Sequence, residues 1–300
     1  MKRIALATII FLSYFSLVYA EEPNGEKEDF YSQITRAIIR LEHTQKTQYE
    51  GSEDVKITNV ANGTAFFVAR GKELFVVSAR HVVEKEYDLH ARVQTRNKIT
   101  NEKETVILKL PRDRWVFHPN NGDKDTHYID VAVMKIRWMK DYSVKHFRYE
   151  SEKSIEKDKN QLPTDDPKPP RPVLVFGFPA NIGFKLPEQK PFGRLGIVSM
   201  QIGQKCLRVN YSNIGNKFAE GRCCIVDVEA FPGNSGSPII NQFNSVFDPE
   251  IKLLGLLVAA DNKMDFAIME PVSRMREVLD IAKEKSNEDV NFWSSLKINN

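Results

Sequence analysis

Ser235 lies in the segment FPGNSGSPII (231–240), where glycines stand close to a serine hydroxyl on both sides. Gly, Asn, Ser and Pro are the ordinary turn-forming residues, so the segment predicts a tight turn. A serine hydroxyl is a weak nucleophile at neutral pH and becomes a strong one only beside a general base, usually His, that a third group orients. The segment is therefore either a plain surface turn or a presented nucleophile, and the second interpretation requires a His and an acid elsewhere in the chain.

One histidine and one aspartate differ from the others in their apolar surroundings. Of the six His, His81 alone ends an apolar run, LFVVSARHVV (74–83), whereas the other five lie in polar, charge-rich stretches. Asp130 begins the apolar run of HYIDVAVMKI (127–136). A carboxylate at the start of a buried strand is costly unless it is hydrogen-bonded, and a His partner would supply that bond. Taken alone, His81 also fits a satisfied histidine of the core.

The elements that must position these three residues are short and β-rich from about residue 54 onward. The runs are VKITNV, TAFFVAR, LFVVSA, ARVQT, TVILKL, VAVMKI, VLVFGF, LGIVSM, CLRVNY, CIVDVEA, SPIINQ and KLLGLLVAA. Gly, Asn, Asp and Pro separate them, which predicts an all-β fold of antiparallel sheets closed into barrels or sandwiches.

Two segments carry apolar residues at helical spacing. VSRMREVLDIAKEK predicts a C-terminal helix that packs on the sheet through one stripe. That stripe is Met275, Val278, Leu279 and Ala282. The N-terminal segment 21–53 is a helix or a first strand, and it is a candidate propeptide. Its spaced apolar residues are Phe30, Ile34, Ile38 and Leu41.

The ends of the chain and a central segment set the predicted domain organisation. Residues 1–20 combine MKR, an apolar run and Val18-Tyr19-Ala20, which predicts a cleaved signal peptide and a secreted or periplasmic protein. A retained anchor is the alternative, although the run is shorter than the ~20 residues of a spanning helix. We expect one main domain at 54–285, with lobe one at 54–139 and lobe two at 173–285, followed by a tail at 286–300.

The segment 140–172 between the two lobes mixes both charges and contains five prolines. Such a composition buries too little apolar surface to order itself, so it predicts a linker or long loop. A lid over a functional site is the sharper alternative.

His81, Asp130 and Ser235 follow one another 49 and 105 residues apart. Catalytic triads occur in different chain orders on unrelated folds, and the order His, Asp, Ser is that of the chymotrypsin-like enzymes. The order and the β-rich background together favour a Ser-His-Asp triad.

The chain resembles the trypsin-like (chymotrypsin-fold) serine peptidases, nearest to the HtrA-type protease domain and the bacterial glutamyl endopeptidases. The matching motifs are GTAFFV, VVSARHVV, DVAVMKI, VFGFP, GIVSM, PGNSGSPII, LLGLLVA and FAIMEPVSRMREVL, in the family's order over most of residues 60–282. The resemblance implies two antiparallel six-stranded β-barrels with the triad in the cleft between them. Because 28 residues follow Val272 in this sequence, we do not expect a PDZ module.

The resemblance also implies a role for each site residue. His81 would be the general base and acid, Asp130 would orient it, and the N–H groups of Gly233 and Ser235 would form the oxyanion hole. Asn234 stands where digestive trypsins carry Asp, so activation through a freed N-terminus is not expected. The substrates would be proteins or peptides. A protease-fold protein that binds without cutting is the alternative, and an unrelated β-rich protein is a third hypothesis.

The sequence is compatible with two kinds of substrate pocket, one that prefers basic residues and one that prefers apolar residues. Glu229 precedes Ser235 by six residues, the offset of the pocket acid of trypsin, which would favour Lys or Arg at the cleavage site. An apolar pocket is equally compatible with the neighbouring small and aromatic residues. Those residues are Ala230, Phe231, Ala259 and Ala260.

Charge and cysteine content limit the partners. Without the predicted signal peptide the chain has 41 basic and 40 acidic residues, which gives no electrostatic case for nucleic acid. No metal-ligand spacing and no cofactor motif stand out. The three cysteines predict one disulfide, Cys206 with Cys223 or Cys224, because adjacent strand residues point to opposite faces. A buried spare thiol is the alternative.

Overall fold

A computed structural model describes residues 30–48, 55–119, 129–137, 142–149, 169–179, 190–201, 207–211, 215–219, 223–241, 253–261, 266–284 and 293–295. The predicted signal peptide 1–20, Cys206 and most of the predicted linker and tail lie outside these residues. The predictions made for them, and the lobe boundaries that depend on them, stay predictions.

The described elements are mostly strands. The helices are α1 (Phe30–Arg36), α2 (Arg80–Val83) and α3 (Val272–Glu284), with a 3-10 turn at Arg112–Arg114. The strands of the first half are β1 (Ile38–Gln48), β2 (Val55–Arg70), β3 (Glu73–Ser78), β4 (Leu89–Asn97), β5 (Lys103–Leu110), β6 (Val116–Phe117), β7 (Ala132–Ile136), β8 (Tyr142–Ser143) and β9 (Phe147–Tyr149). The remaining strands are β10 (Arg171–Gly177), β11 (Phe192–Gln201), β12 (Leu207–Tyr211), β13 (Gly215–Ala219), β14 (Cys224–Asp227), β15 (Pro238–Asn241), β16 (Leu253–Asp261), β17 (Phe266–Pro271) and β18 (Trp293–Ser295).

Ten strands, six of them within lobe one, form a single sheet in the order β18-β5-β4-β1-β2-β3-β7-β6, with β8 on β4 and β9 on β2. The 16-residue β2 spans two neighbours, because its first part pairs with β1 and its last part with β3. The antiparallel pairing of β3 with β7 sets Ser78 opposite Ala132. The end of β3, three residues before His81, therefore lies beside the start of β7, two residues after Asp130.

Lobe two is a closed barrel with the order β10-β11-β14-β17-β16-β15. Alternating inward side chains from these strands form a separate apolar cluster that fills the barrel. Ser235 lies in the turn that leads directly into β15, and β15 pairs with β10 and β16. The barrel thus holds the chain on both sides of this turn.

The C-terminal helix α3 connects the two lobes. It packs against β6 and β7 of the first sheet and against β16 and β17 of the barrel. The predicted stripe of Met275, Val278, Leu279 and Ala282 is buried, together with Val272. The prediction of a helix packed on the sheets is confirmed. None of the helices in the described part of the chain is both long and apolar enough to cross a membrane.

The predicted all-β class is confirmed, and one of the two predicted six-stranded barrels is present as such in lobe two. Lobe one is instead a ten-stranded sheet that does not close among the described strands. Four of its strands come from outside the predicted lobe 54–139: β1 from the segment 21–53, β8 and β9 from the predicted linker, and β18 from the predicted tail. The segment 21–53 contains both alternatives, since α1 is followed by β1 in the first sheet.

A two-stranded hairpin of β12 and β13 pairs Leu207 with Ala219, as the turn residues between the cysteines predict. Cys223 and Cys224 are both buried. Because Cys206 lies just before the described hairpin, its pairing with either of them stays a prediction.

Candidate active site

His81 and Asp130 are in direct contact. The Nδ1 of His81 lies 2.6 Å from Oδ2 of Asp130, and the His81 backbone N–H donates to Oδ1 over 2.9 Å. The Asp130 side chain is completely buried, whereas 18% of the His81 side chain is exposed. One carboxylate therefore holds both the ring and the backbone of the same histidine. With Nδ1 directed to the carboxylate, Nε2 is the ring nitrogen turned toward other groups.

The turn that carries Ser235 depends on two glycines. Gly233 has φ of 94° and Gly236 has φ of 88°, a region that residues with a side chain rarely adopt. The N–H of Asn234 donates to the carbonyl of Phe231 over 3.0 Å, which closes the first bend. The N–H of Gly236 donates to Leu257 of β16 over 2.7 Å. The segment is thus a tight turn attached to the barrel.

The same turn is also attached to lobe one. The N–H of Thr64 in β2 donates to the Ser235 carbonyl over 2.9 Å. A Cβ added to Gly236 would lie 2.0 Å from the carbonyl oxygen of Thr64 and 3.1 Å from the backbone nitrogen of Ala79. Gly236, the residue after Ser235, therefore packs closely against the backbone of Ala79, which precedes helix α2 and its His81. The structure brings all three predicted residues to one junction between the lobes.

Three polar groups of the Ser235 turn make no hydrogen bond to any residue that the structure describes. Within the described ranges, the N–H groups of Gly233 and Ser235 donate to no acceptor. The Ser235 Oγ, on a half-buried residue, makes no hydrogen bond there either. Hydrogen bonds of a nucleophile to its base are often long in the absence of substrate. Two N–H groups and one hydroxyl of the same bend are thus left unbonded by the described part of the chain.

Glu270 is a second buried acid that the sequence analysis missed. The residue is 4% exposed, and its Oε1 accepts a hydrogen bond of 3.2 Å from the Asp130 N–H. Burial raises the pKa of Glu270 to about 8, and the nearby Asp130 charge adds to the rise. The available signal was the lone acid in the apolar run FAIMEP (266–271), the same contrast that identified Asp130.

Thr64 was also missed as a site residue. It is fully buried in β2, where its hydroxyl donates to the Gly233 carbonyl over 2.9 Å. The sequence signal is a hydroxyl inside the apolar run GTAFFV (63–68).

The predicted pocket acid, Glu229, is exposed and ion-paired. Its carboxylate lies 2.8 Å from Nη1 of Arg194 on β11, and the same guanidinium donates to the Glu229 carbonyl over 2.9 Å. The Arg194 guanidinium also lies 4.3 Å from the centre of the Phe231 ring and 5.3 Å from that of Phe192. The structure therefore joins two of the predicted pocket residues, Glu229 and Phe231, through an arginine that the sequence analysis did not single out.

The small predicted pocket residues lie on two segments. Ala230 is buried beside Phe231. Ala259 is half-buried and Ala260 is exposed, two and three residues after Leu257, which binds the Ser235 turn. In the described part of the chain, no three His, Cys, Asp or Glu side chains group in a way that could hold a metal ion.

Two β lobes, with a His-Asp pair on one and a tightly turned serine on the other, define the chymotrypsin-like class of fold. The chain belongs to the trypsin family, because the family model described as Trypsin matches residues 45–278. It is a serine-type peptidase, as the resemblance of its motifs predicts. No curated protein sequence matches the chain.

Solved structures similar to this chain include proteases. A variant of the HtrA-type protease AlgW with a decapeptide is 14% identical, with a TM-score of 0.48 over 86% of this chain and 67% of that one. The active form of the Rv3671c protease from M. tuberculosis is also 14% identical, with a TM-score of 0.45 over 86% of this chain and 85% of that one.

Proposed function

We propose that the protein is a serine endopeptidase that hydrolyses peptide bonds of proteins or peptides through Ser235, His81 and Asp130. The observation that carries the proposal is the contact of the buried Asp130 carboxylate with both Nδ1 and the backbone N–H of His81. A buried carboxylate in this position sets the tautomer of the ring and stabilises the imidazolium that forms when Nε2 takes a proton.

In the first half of the reaction, Ser235 Oγ attacks the substrate carbonyl carbon while His81 Nε2 takes the hydroxyl proton. The carbonyl oxygen becomes an oxyanion, which the N–H groups of Gly233 and Ser235 would bind. Breakdown of this intermediate breaks the C–N bond, and His81 gives its proton to the departing amine. The product is an acyl-enzyme on Ser235.

In the second half, His81 takes a proton from water as the water oxygen attacks the acyl carbon. The new intermediate expels Ser235 Oγ, which recovers the proton from His81, and the acid product leaves. Neither N–H group donates to a described residue, which supports the oxyanion role, because a donor already bonded to the protein could not be offered to substrate. Each such donor stabilises the transition state by roughly 2.7–4 kcal/mol in serine peptidases.

The ion pair of Glu229 with Arg194 bears on specificity. A carboxylate already 2.8 Å from a guanidinium is a weaker partner for a substrate cation than an unpaired one. We therefore favour an apolar pocket, to which the buried Ala230 and the half-buried Phe231 and Ala259 would contribute. Cleavage of a peptide library would report the preference directly, and a strong preference for Lys or Arg that Glu229→Gln abolishes would contradict the apolar assignment.

The proposal also includes export of the enzyme and oxidation of two of its cysteines. The signal peptide predicted at 1–20 would send the enzyme to the periplasm or the extracellular space, where a disulfide between Cys206 and Cys223 or Cys224 could form. Mass spectrometry of the mature protein without reduction would report both the N-terminal residue and the cysteine pairing.

Labelling by a fluorophosphonate probe tests the active serine. We expect the wild-type protein to be labelled at Ser235, with no labelling of Ser235→Ala and a large loss in His81→Ala. Ser199→Ala, which removes an exposed hydroxyl on β11, is the control and should label normally. A folded wild-type protein that does not label would instead favour the alternative of a protease-fold protein that binds without cutting.

A further inference from the structure

Thr64 makes four hydrogen bonds at the junction of the two lobes. Its hydroxyl donates to the Gly233 carbonyl over 2.9 Å and accepts from the Phe178 N–H over 3.0 Å. Its own N–H donates to the Ser235 carbonyl over 2.9 Å. Its carbonyl accepts from the Ser78 hydroxyl over 2.7 Å. One residue of lobe one therefore binds both ends of the Gly233 to Ser235 bend.

The direction of the Thr64 hydroxyl follows from its partners. A hydroxyl has a single proton to donate and lone pairs with which to accept. Because the Phe178 N–H has no lone pair, the hydroxyl oxygen must accept there, and its proton is left for the Gly233 carbonyl. Thr64 and Ser78 are both fully buried, so water does not compete for these bonds. The donor is thus aimed at Gly233 by a second residue of lobe two.

Gly233 needs such an external constraint. A glycine occupies positive and negative φ with similar ease, so its own conformational preference does not hold φ at 94°. Rotation about this residue would change the direction of its N–H relative to that of Ser235. The peptide unit between Gly233 and Asn234 is held at its carbonyl by Thr64 and at its N–H by the Phe231 carbonyl, which limits rotation about the Gly233 backbone bonds that set the direction of its N–H.

We propose that Thr64 is a positioning residue of the peptidase, whose hydroxyl holds Gly233 so that its N–H points at the developing oxyanion. The inference rests on the proposed function, because it requires Gly233 to be an oxyanion donor. Thr64 does not touch the reacting atoms itself. Its effect is transmitted through the Gly233 carbonyl.

Three substitutions separate the hydroxyl from the shape of the side chain. Thr64→Val keeps the branched shape and removes the hydroxyl. Thr64→Ser keeps the hydroxyl and removes the methyl group. Thr64→Ala removes both. Loss of one oxyanion donor costs about 10²–10³ in kcat, and misdirection of a donor that is still present should cost less. We expect kcat to fall about 10–100-fold in the valine and alanine variants with KM nearly unchanged, and by less than about fivefold in the serine variant.

Thr95→Val is the matched control. Thr95 is another buried threonine of lobe one, and its hydroxyl donates to the Glu104 carbonyl over 3.2 Å, between β4 and β5. Its substitution removes a buried hydroxyl bond of the same kind without touching the Ser235 turn. We expect a loss of stability in Thr95→Val with kcat unchanged.

Inhibition by a peptide aldehyde distinguishes a positioning role of Thr64 from a purely structural role, which would leave the inhibition constant unchanged. Its adduct with Ser235 would place an oxyanion in the proposed hole, so its inhibition constant should rise in Thr64→Val by the same factor as kcat/KM falls. The affinity of the corresponding peptide product, which carries no such oxyanion, should change by less than about threefold. If Thr64→Val does not fold, the comparison of the serine and alanine variants provides the same test.

Two kinds of failure are distinguishable. A wild-type protein that neither labels with fluorophosphonate nor cleaves peptides would overturn the proposed function. A wild-type protein that cleaves, together with a folded Thr64→Val of unchanged kcat, or with serine and alanine variants that lose activity equally, would overturn the role of the Thr64 hydroxyl alone.

Discussion

The buried carboxyl of Glu270 makes the stability of this protein depend on pH. Burial, together with the neighbouring Asp130 charge, raises the pKa of Glu270 from 4.5 to about 8. Arg274 and Glu277, on the helix packed above it, also act on this carboxyl, and His118 of lobe one lies 3.1 Å from Glu277. Glu270→Gln replaces the acid by a neutral group of the same shape that can still accept the Asp130 N–H.

The sign of the effect follows from proton binding. Between pH 4.5 and 8 the folded protein holds the Glu270 proton that the unfolded chain has released. The free energy of unfolding must therefore fall as pH rises through this window, by about 1.4 kcal/mol per pH unit from this group. The cumulative loss at pH 7 is roughly 3 kcal/mol, and it is absent from the glutamine variant.

The assay is urea denaturation of both proteins at a series of pH values from 4.5 to 8.5. We expect the unfolding free energy of Glu270→Gln minus that of the wild-type protein to rise with pH and to level off above the Glu270 pKa of about 8. Glu86→Gln, which changes an exposed carboxyl, is the control and should show no such rise. A difference between Glu270→Gln and wild type that stays constant across the series would refute the reasoning.

Other substitutions test the turn, the triad and the core. Gly236→Ala places a Cβ 2.0 Å from the Thr64 carbonyl at φ of 88°, so we expect urea denaturation to show a loss on the order of 3 kcal/mol; a change below about 0.5 kcal/mol would contradict the contact. Asp130→Asn should lower kcat about 10⁴-fold in a peptide cleavage assay without unfolding the protein, and near-normal turnover would exclude its orienting role. Leu279→Ala removes a fully buried side chain of α3 and should lower the unfolding free energy by about 2–5 kcal/mol; an unchanged midpoint would show that the helix is dispensable.

Local patterns in the sequence predict most of the elements and the identity of the His-Asp pair. The run LFVVSA corresponds to β3, where five successive residues are buried, and VSRMREVLDIAKEK corresponds to α3. His81 and Asp130 were found because polar residues in apolar runs require partners, and the contact between their side chains supplies one. The same reasoning extends to Glu270, because its surroundings in the sequence are equally apolar.

Other features follow from distant pairings that no local pattern contains. The short strands β8 and β9 lie in a segment whose composition predicts a linker, and they exist because β4 and β2 offer edges to pair with. Glu229 fits a pocket acid by its spacing from Ser235, but Arg194, 35 residues away, pairs with it. The spacing between Glu229 and Ser235 does not show which charged side chain of another strand lies beside Glu229.

The sequence by itself determined the class of fold, the positions of most strands along the chain and the types of residue available for chemistry, because these depend on neighbours within a few positions. Only the tertiary structure decided how the Ser235 turn is held. Thr64 and Gly233 are 169 residues apart, and their bond exists because the first sheet and the barrel pack at one junction. Hydrogen bonds between lobes depend on strand register and on the packing of both lobes at once, so they are absent from any short stretch of the chain.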